Sequence, residues 1–468
     1  MGISVLDQAA IAEIRGRFEG DVLEPGDPGY DDARKLFNAM IDRKPRLIVR
    51  CAGPADVTAG ILLAREFSLP LAIRGGGHGV NGHAACDDGI MLDLSPMKNI
   101  VVDSQQRTVV AQAGVNWGEF DAATQEHGLA TTGGRVTTTG IAGLTLGTGS
   151  GWLERLHGYT ADNLIAADVV TADGRAVRAS EDENADLFWG LRGGGGNFGV
   201  VTSFEYRLHE LPPLMAGGLL LWPSERRGDV LRFYREFIAD APDEVGGGAA
   251  FMTAPPAPFV PQELRGQHAV GVIACAFTEL ERGEELLRPL REFGSPAVDV
   301  IGPMPYTAIQ QLLDPGNPPG LYNYWKAELV DELTDELIDL SIAHGEKMGR
   351  SHSLLFFQPL GGKIARIPDD ASAITARQAG WTLHCIGEWE TPEETDAELA
   401  WVKAWAPMIE PFKLAGAPMT FRADTGDEHV RSTYGEEKYA RLVALKDEYD
   451  PQNVFRLNQN IKPSGASA

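Results

Sequence analysis

The chain has 468 residues, of which 43% are hydrophobic, and this composition is typical of a globular protein with two or three domains. Its 66 acidic and 41 basic residues give a formal net charge of -25. Nucleic acid and anionic membrane surfaces bind proteins through a positive electrostatic field, so we expect neither as a partner. The sequence has no apolar run of about 18 residues and no recognisable signal peptide, which predicts no membrane association and a cytoplasmic location.

The cysteines and histidines do not form a metal-binding pattern. The four cysteines lie far apart and form no Cys-x-x-Cys pair, which disfavours a structural zinc site and a disulfide framework: Cys51, Cys86, Cys275 and Cys385. His78 and His83 are also not at the spacing of a metal-binding pair. We therefore predict no metal site.

The first predicted elements lead into a glycine-rich loop. Residues 46–50 are predicted as a strand, and Pro54 begins an amphipathic helix. A second strand over 69–73 runs directly into the sequence Arg-Gly-Gly-Gly-His of residues 74–78. Glycines let the backbone approach a ligand and leave its amides open to an anion, and Arg74 adds a positive charge. A tight turn with a surface histidine is the alternative for an isolated glycine triplet.

Two further glycine-rich segments follow in the first half of the chain. Strands at 90–94 and 108–112 and a helix at 118–127 precede the second segment, 140–152. The third segment, 192–199, contains Gly-x-Gly-x-x-Gly, but a strand follows it where the dinucleotide fingerprint requires a helix. Three glycine segments beside strands can enclose a long ligand that contains a pyrophosphate.

The second half of the chain has a different pattern. Strand-like runs alternate with amphipathic helices such as 331–345, and the runs cover 218–221, 249–253, 269–277, 353–360 and 381–389. This pattern predicts an antiparallel sheet covered by helices on one face. A helix over 430–448 and a tail complete the chain. The fold class is therefore α+β, with predicted domains at 1–212 and 213–424 and a C-terminal segment at 425–468.

The first glycine loop resembles the covalent-flavin loop of the berberine-bridge-enzyme-like branch of the vanillyl-alcohol-oxidase flavoproteins. That family's motif is Arg-(Ser/Gly)-Gly-Gly-His. Residues 143–147, 162–164, 193–199 and 450–461 resemble other segments of the family, most of all those of the bacterial 6-hydroxy-D-nicotine oxidase and enterocin oxygenase type. The resemblance implies a two-lobed FAD-binding domain to which the C-terminal segment returns, and a separate substrate domain.

The resemblance also implies which residues bind FAD. They are Arg74, Gly75, Gly76, Gly77, His78, Gly79, Gly82, His83, Gly140, Gly143, Leu144, Thr145, Gly147, Asn163, Gly199, Val200, Asn458 and Asn460. In the family the histidine at position 78 is bonded to the flavin 8α-carbon. Many relatives form a second bond from a cysteine where this chain has Val136, so a single covalent bond is expected. For the two C-terminal asparagines, turn formation is the alternative role.

Four residues are candidates for the catalytic site. Thr139 occupies the family position that gates O₂, or it is an ordinary β-branched residue in a strand before a turn. Tyr324 matches a family segment on a strand that faces the flavin, or it is an interface aromatic. Alternation puts His384 and Glu388 on one strand face, where they are an acid–base pair if that face lines the pocket and polar surface residues if it does not.

Two departures from the family affect the catalytic base. Relatives often carry a tyrosine where this chain has Phe421, and some use a glutamate as base where it has Phe356. These substitutions predict a more apolar pocket, or a base drawn from elsewhere. The implied function is an oxidase that takes a hydride from a C–OH or C–N centre of a small organic or secondary-metabolite substrate, with O₂ as acceptor. The alternatives are a flavin-dependent oxygenase and a flavin-binding protein without turnover; a monomer or homodimer is expected.

Overall fold

The computed structural model describes residues 13–350, 352–416 and 426–465. Its first part contains two sheets. A four-stranded sheet has the order β1-β2-β4-β3 and consists of β1 (Asp21–Leu23), β2 (Leu47–Arg50), β3 (Leu71–Arg74) and β4 (Ile90–Asp93). A five-stranded antiparallel sheet has the order β5-β6-β10-β8-β9 and consists of β5 (Ile100–Asp103), β6 (Thr108–Gln112), β8 (Leu164–Val170), β9 (Ala176–Ser180) and β10 (Val200–Arg207). A short pair joins β7 (Leu129–Ala130) to β11 (His209–Glu210).

The helices α1 to α6 accompany these sheets and have these bounds: α1 (Tyr30–Ala33), α2 (Pro54–Glu66), α3 (Trp117–Gln125), α4 (Ile141–Gly147), α5 (Glu154–His157) and α6 (Ala185–Leu191). The helix α3 begins at a capping box, because the Asn116 side chain accepts from the backbone amide of Glu119 and Glu119 bonds back to Asn116. The helix α4 lies inside the segment that the sequence presented only as a glycine-rich loop. Its high glycine content conceals the helical spacing of Ile141, Leu144 and Thr145.

The second part is a single large antiparallel sheet. Its strands are β12 (Met215–Pro223), β13 (Val245–Thr253), β14 (His268–Ala276), β15 (Val298–Asp299), β16 (Gly302–Met304), β17 (Tyr322–Val330), β18 (Leu354–Pro359) and β19 (Trp381–Trp389). They follow the order β15-β12-β14-β13-β18-β19-β17, with β16 paired to β12. The helices of this part and the C-terminal helix are α7 (Arg227–Asp240), α8 (Leu280–Glu292), α9 (Tyr306–Gln310), α10 (Asp335–Gly345), α11 (Lys363–Arg366), α12 (Thr395–Ile409) and α13 (Asp427–Tyr449).

Strand alternation decides which face of this sheet the helices cover. On β18, Leu355 and Phe357 are buried in one core with residues of α7, α10 and α12, whereas Leu354, Phe356 and Gln358 point to the opposite face. The amphipathic helix α7 contributes Val230, Tyr234 and Ile238 to this core at helical spacing. The predicted α+β class, with an antiparallel sheet covered by helices, is therefore confirmed.

The C-terminal helix packs with the first part of the chain. Leu442 and Leu445 of α13 and Phe455 and Ile461 of the following tail belong to the core that also contains the first two sheets. The second core contains residues between 216 and 409. The predicted domain boundaries themselves stay a prediction. No helix among the described residues is long and apolar enough to cross a membrane.

Candidate active site

A cavity of 1270 Å³ lies between the three glycine segments and the uncovered face of the antiparallel sheet. We call its two sides the glycine wall and the sheet wall. The glycine wall consists of residues from 75–79, 140–147 and 194–200 together with the C-terminal residues 457–459. The sheet wall consists of residues from β12, β13, β14, β17, β18 and β19.

The glycine wall depends on close backbone contact between two of its segments. A Cβ on Gly76 would lie 2.2 Å from the backbone nitrogen of Gly140, and a Cβ on Gly140 would lie 2.3 Å from that of Gly76. Neither position therefore has room for a larger residue. In contrast, a Cβ on Gly143 or Gly196 would meet nothing within 4 Å, although both residues line the cavity. The segments thus approach each other closely while leaving space on the cavity side.

His78 reaches the cavity from the first glycine loop. Its ring stacks on Phe37, with centroids 4.0 Å apart and an interplanar angle of 20°. Its Nε2 lies 2.8 Å from Oγ1 of Thr138, and its Nδ1 lies 3.4 Å from Oγ1 of Thr139. Burial lowers the pKa of His78 to about 4, so the imidazole is neutral at pH 7.

A short segment of residues 36–41, here called the strap, joins the first glycine loop to β17. The backbone amide of Phe37 donates to the carbonyl of Gly77 at 3.1 Å. The side-chain amide of Asn38 donates to the carbonyls of Val80 and Asn323, both at 2.9 Å. The strap could not be predicted from the sequence, because its partners are distant in the chain and its residues show no periodic pattern.

The C-terminal tail lies against the third glycine segment. The side-chain amide of Asn458 donates to the carbonyl of Gly196 at 3.0 Å, and Asn458 lines the cavity. The Oδ1 atoms of Asn458 and Asn460 are buried without a hydrogen-bond partner among the described residues. Beneath the tail, the fully buried Lys446 donates to the carbonyls of Asn197 and Phe455 at 2.9 and 2.8 Å. The tail is therefore held in place on the glycine wall.

At the inner end of the cavity lies a polar cluster made of Arg135, Ser150, Glu154, Gln358 and His384. Arg135 and Glu154 form a buried ion pair at 2.7 Å, and the Ser150 hydroxyl donates to Glu154 at 2.6 Å. The Nε2 of Gln358 donates to Ser150 and to Glu154, both at 2.8 Å. The cluster joins the second glycine segment to β18 and β19.

The polar cluster determines the tautomer of His384. Its Nε2 lies 3.1 Å from Oε1 of Gln358. Because the amide nitrogen of Gln358 already donates within the cluster, Oε1 is an acceptor and His384 carries its proton on Nε2. Burial, followed by the nearby charge of Arg135, lowers the pKa of His384 to about 3. The ring is therefore neutral, with its lone pair on Nδ1.

Most residues that sequence analysis selected line this cavity, namely Gly75, Gly76, Gly77, His78, Gly79, His83, Thr139, Gly140, Gly143, Leu144, Gly147, Gly199, Val200, His384 and Asn458. Others lie behind the lining: Arg74, Gly82, Thr145, Asn163 and Asn460. Arg74 donates to the carbonyl of Ala33, Thr145 to that of Ile141, and Asn163 to that of Tyr159. The structure gives these three residues contacts that hold the loops together. Phe421 lies outside the described residues.

The expectation for Tyr324 needs correction. Tyr324 pairs with Gly387, and directly opposite residues of antiparallel strands share a face. Gly387 faces α12, since a Cβ there would lie 2.8 Å from Val402. The Tyr324 ring accordingly lies 5.8 Å from Nζ of Lys403 on that helix, on the side away from the cavity. Its neighbour Trp325 lines the cavity instead.

The predicted acid–base pair of His384 and Glu388 also needs correction. Both residues are on the sheet face opposite the helices, as alternation predicted. Four residues along a strand span about 13 Å, which is too far for direct proton exchange between the two side chains. Glu388 is 1% exposed and lies behind the cavity lining, and burial raises its pKa to about 8. Only His384 of the two lines the cavity.

Comparison with known proteins gives matches over nearly the whole chain. Residues 45–180 match a family of FAD binding domains, and residues 409–462 match the family described as berberine and berberine like. The Bacillus subtilis (strain 168) protein named uncharacterized FAD-linked oxidoreductase YvdP is 31% identical over 95% of this chain and 98% of its own. The (R)-6-hydroxynicotine oxidase of Paenarthrobacter nicotinovorans is 31% identical over 96% of this chain and 98% of its own.

Solved structures show the same architecture. The 6-hydroxy-D-nicotine oxidase of Arthrobacter nicotinovorans superposes with a TM-score of 0.84 at 26% identity, over 96% of this chain and 98% of that one. The xylooligosaccharide oxidase of Myceliophthora thermophila C1 has a TM-score of 0.83 at 20% identity, over 98% of this chain and 100% of that one. At 20% identity, the similarity to the xylooligosaccharide oxidase shows a shared fold.

Proposed function

The chain belongs to the berberine-bridge-enzyme-like FAD-linked oxidoreductases, and from this premise we propose that it is an oxidase with covalently bound flavin. It would oxidise a C–OH or C–N centre of a small organic or secondary-metabolite substrate and use O₂ as the electron acceptor. The observation that carries the proposal is the cavity itself, in which a neutral histidine of the glycine wall and a neutral histidine of the sheet wall line the same space. Bound FAD would supply the hydride acceptor.

The residues of the glycine wall fit FAD. Glycine-rich loops present backbone amides suited to pyrophosphate oxygens. Space beside Gly143 and Gly196 is available on the cavity side. The buried Oδ1 atom of Asn458, which lines the cavity, needs a donor, since an unpaired buried acceptor costs about 1–3 kcal/mol, and the flavin ring carries an N–H group.

His78 is the residue that would attach the flavin. The neutral imidazole is a nucleophile, and its nitrogen would bond to the flavin 8α-carbon. The bond replaces one C–H and one N–H, so two protons and two electrons must leave, and O₂ takes them up as H₂O₂. Val136 lines the cavity but cannot form a thioether, so the linkage would be single. Phe37 and Thr138 restrict the orientation of the ring by stacking and hydrogen bonding.

On the sheet wall, His384 would act as the base. Oxidation of an alcohol or amine by hydride removal releases the proton of the O–H or N–H group, and a positioned base must accept it. Gln358 would fix the orientation of the imidazole through its hydrogen bond with Nε2. Thr139, beside His78 on the cavity lining, would leave room for O₂.

Denaturation tests the attachment, and turnover tests the reaction. The purified protein should carry fluorescent flavin on a denaturing gel and release H₂O₂ with an alcohol or amine substrate. Loss of all flavin on denaturation would reject the covalent bond. Incorporation of ¹⁸O from O₂ into the product would indicate an oxygenase, and absence of flavin reduction by every alcohol and amine tested would indicate a flavin-binding protein without turnover.

A further inference from the structure

The sheet wall carries few hydrogen-bonding side chains where it lines the cavity. Apart from Trp325 and the polar-cluster residues Gln358 and His384, its large residues are apolar and come from five strands: Leu219, Met252, Ile273, Leu354, Phe356 and Ile386. Gly248, Ala250 and Gly271 lie between them and widen the cavity without adding a polar group. A ligand bound against this wall therefore contacts mainly the carbon atoms of apolar side chains.

The polar cluster at the inner end is closed on itself. Glu154 accepts from Arg135, Ser150 and Gln358, and the amide nitrogen of Gln358 donates to Ser150 and Glu154. These groups therefore already have hydrogen-bond partners within the cluster before a ligand enters. Among the described residues, and apart from Oδ1 of Asn458 on the glycine wall, Nε of Arg135 and Oγ1 of Thr253 are buried polar atoms at the cavity without a partner. They suit a ligand with one or two polar groups.

Apolar surface continues outward to the mouth of the cavity. Phe259 and Val300 line the cavity and are nevertheless 49% and 38% exposed. They extend the apolar surface that a ligand would contact as it enters the cavity. On the other side of the mouth, Arg350, His352 and Glu390 provide a charged rim. The apolar path thus runs from the mouth inward to Phe356 and Ile386.

We propose, on the basis of the oxidase function above, that the substrate is a largely apolar molecule with aromatic or fused rings and a single reacting alcohol or amine. Ring systems pack well against Phe356 and Trp325 and bury their area on the sheet wall. A sugar carries a hydroxyl on almost every carbon. Each hydroxyl that loses water without gaining a partner on this wall would weaken binding by about tenfold.

Binding and turnover can be measured separately on the flavin-loaded protein. The probes are 1-(2-naphthyl)ethanol and 1-(2-naphthyl)ethylamine, with cellobiose as a sugar of comparable size. Ligand binding is followed anaerobically through tryptophan fluorescence and flavin absorbance, and turnover through H₂O₂ release in air. We expect the dissociation constant of at least one naphthyl probe to be about a hundredfold lower than that of cellobiose.

A pair of variants at Ile386 provides a second measurement. Ile386→Asn places an amide in the apolar path and should weaken naphthyl binding by about tenfold, whereas Ile386→Val should change it less than about threefold. Flavin content and the midpoint of thermal unfolding verify that both variants fold.

The possible outcomes distinguish the two proposals. Cellobiose binding as tight as naphthyl binding, or no binding of either naphthyl probe at millimolar concentration, overturns the substrate class. Sugar oxidation with peroxide release leaves the oxidase function standing and rejects the apolar substrate. Tight naphthyl binding with no flavin reduction by any alcohol or amine supports the apolar site and rejects the oxidase function.

Discussion

The two walls of the cavity are built by different physical means. The glycine wall is backbone, with segments so close that Gly76 and Gly140 have no room for a Cβ, and it is suited to a cofactor with phosphates. The sheet wall is formed by side chains of the antiparallel sheet, and it is mainly apolar apart from the polar cluster. This difference indicates that cofactor attachment depends on loop geometry, whereas substrate choice depends on which residues occupy alternate strand positions.

The largest effect is expected from removing the nucleophile of the glycine wall. His78→Ala should abolish flavin fluorescence of the denatured polypeptide on a gel, because no imidazole nitrogen remains to bond the 8α-carbon. FAD should still bind reversibly, since the glycine segments are unchanged. The matched control is His83→Ala, which removes another histidine of the cavity lining and should retain covalent flavin. Acid-stable flavin in the His78→Ala protein would contradict the assignment.

The second-largest effect is expected on the turnover rate, with the covalent flavin retained. His384→Asn should lower kcat by about 10²- to 10⁴-fold, as removal of a catalytic base usually does, while the covalent flavin content stays that of wild type. Anaerobic rates of flavin reduction measure the change. His352→Asn, at the mouth of the cavity, is the control and should have little effect on kcat. An unchanged reduction rate in His384→Asn would exclude His384 as the base.

The stability of the glycine wall is expected to depend on a buried ion pair. Lys446 and Asp450 are both 0% exposed and 2.7 Å apart. Lys446→Met leaves the carboxylate of Asp450 without its partner and should lower the free energy of unfolding by about 3–5 kcal/mol. Lys98→Met removes the partner of the exposed Glu119 and should cost at most about 1 kcal/mol. Urea unfolding of both variants measures the difference, and equal losses would show that burial is unimportant here.

The smallest expected effect is a pH dependence at the edge of the sheet wall. Burial raises the pKa of Glu388 to about 8, so the folded protein favours the protonated carboxyl. This contribution to stability is complete below the unfolded pKa, near 4.5, and is lost as the pH rises through about 8. Glu388→Gln should flatten this decline between pH 5 and pH 8 by roughly 1–3 kcal/mol, measured by urea unfolding. The exposed Glu393→Gln should keep the wild-type slope.

Local sequence patterns were reliable where they depend on a single helix or strand. Alternation along 381–389 correctly placed His384 and Glu388 on one face, and helical spacing over 331–345 identified one of the helices that cover the other face. The resemblance to a family segment failed for Tyr324, whose direction depends on the pairing of β17 with β19. Local patterns also did not distinguish His384, which lines the cavity, from Glu388, which lies behind it, because the depth of a strand residue depends on its neighbours.

The sequence by itself determined the α+β class and the glycine loops with His78, because glycine spacing and apolar periodicity are local properties, and the resemblance of its short motifs indicated the family. Only the tertiary structure placed Phe37 on the His78 ring and joined Arg135 and Glu154 to Gln358 and His384. These contacts link residues that are tens to hundreds of positions apart. Their partners are chosen by how two cores pack around one cavity, and no short stretch of sequence contains that information.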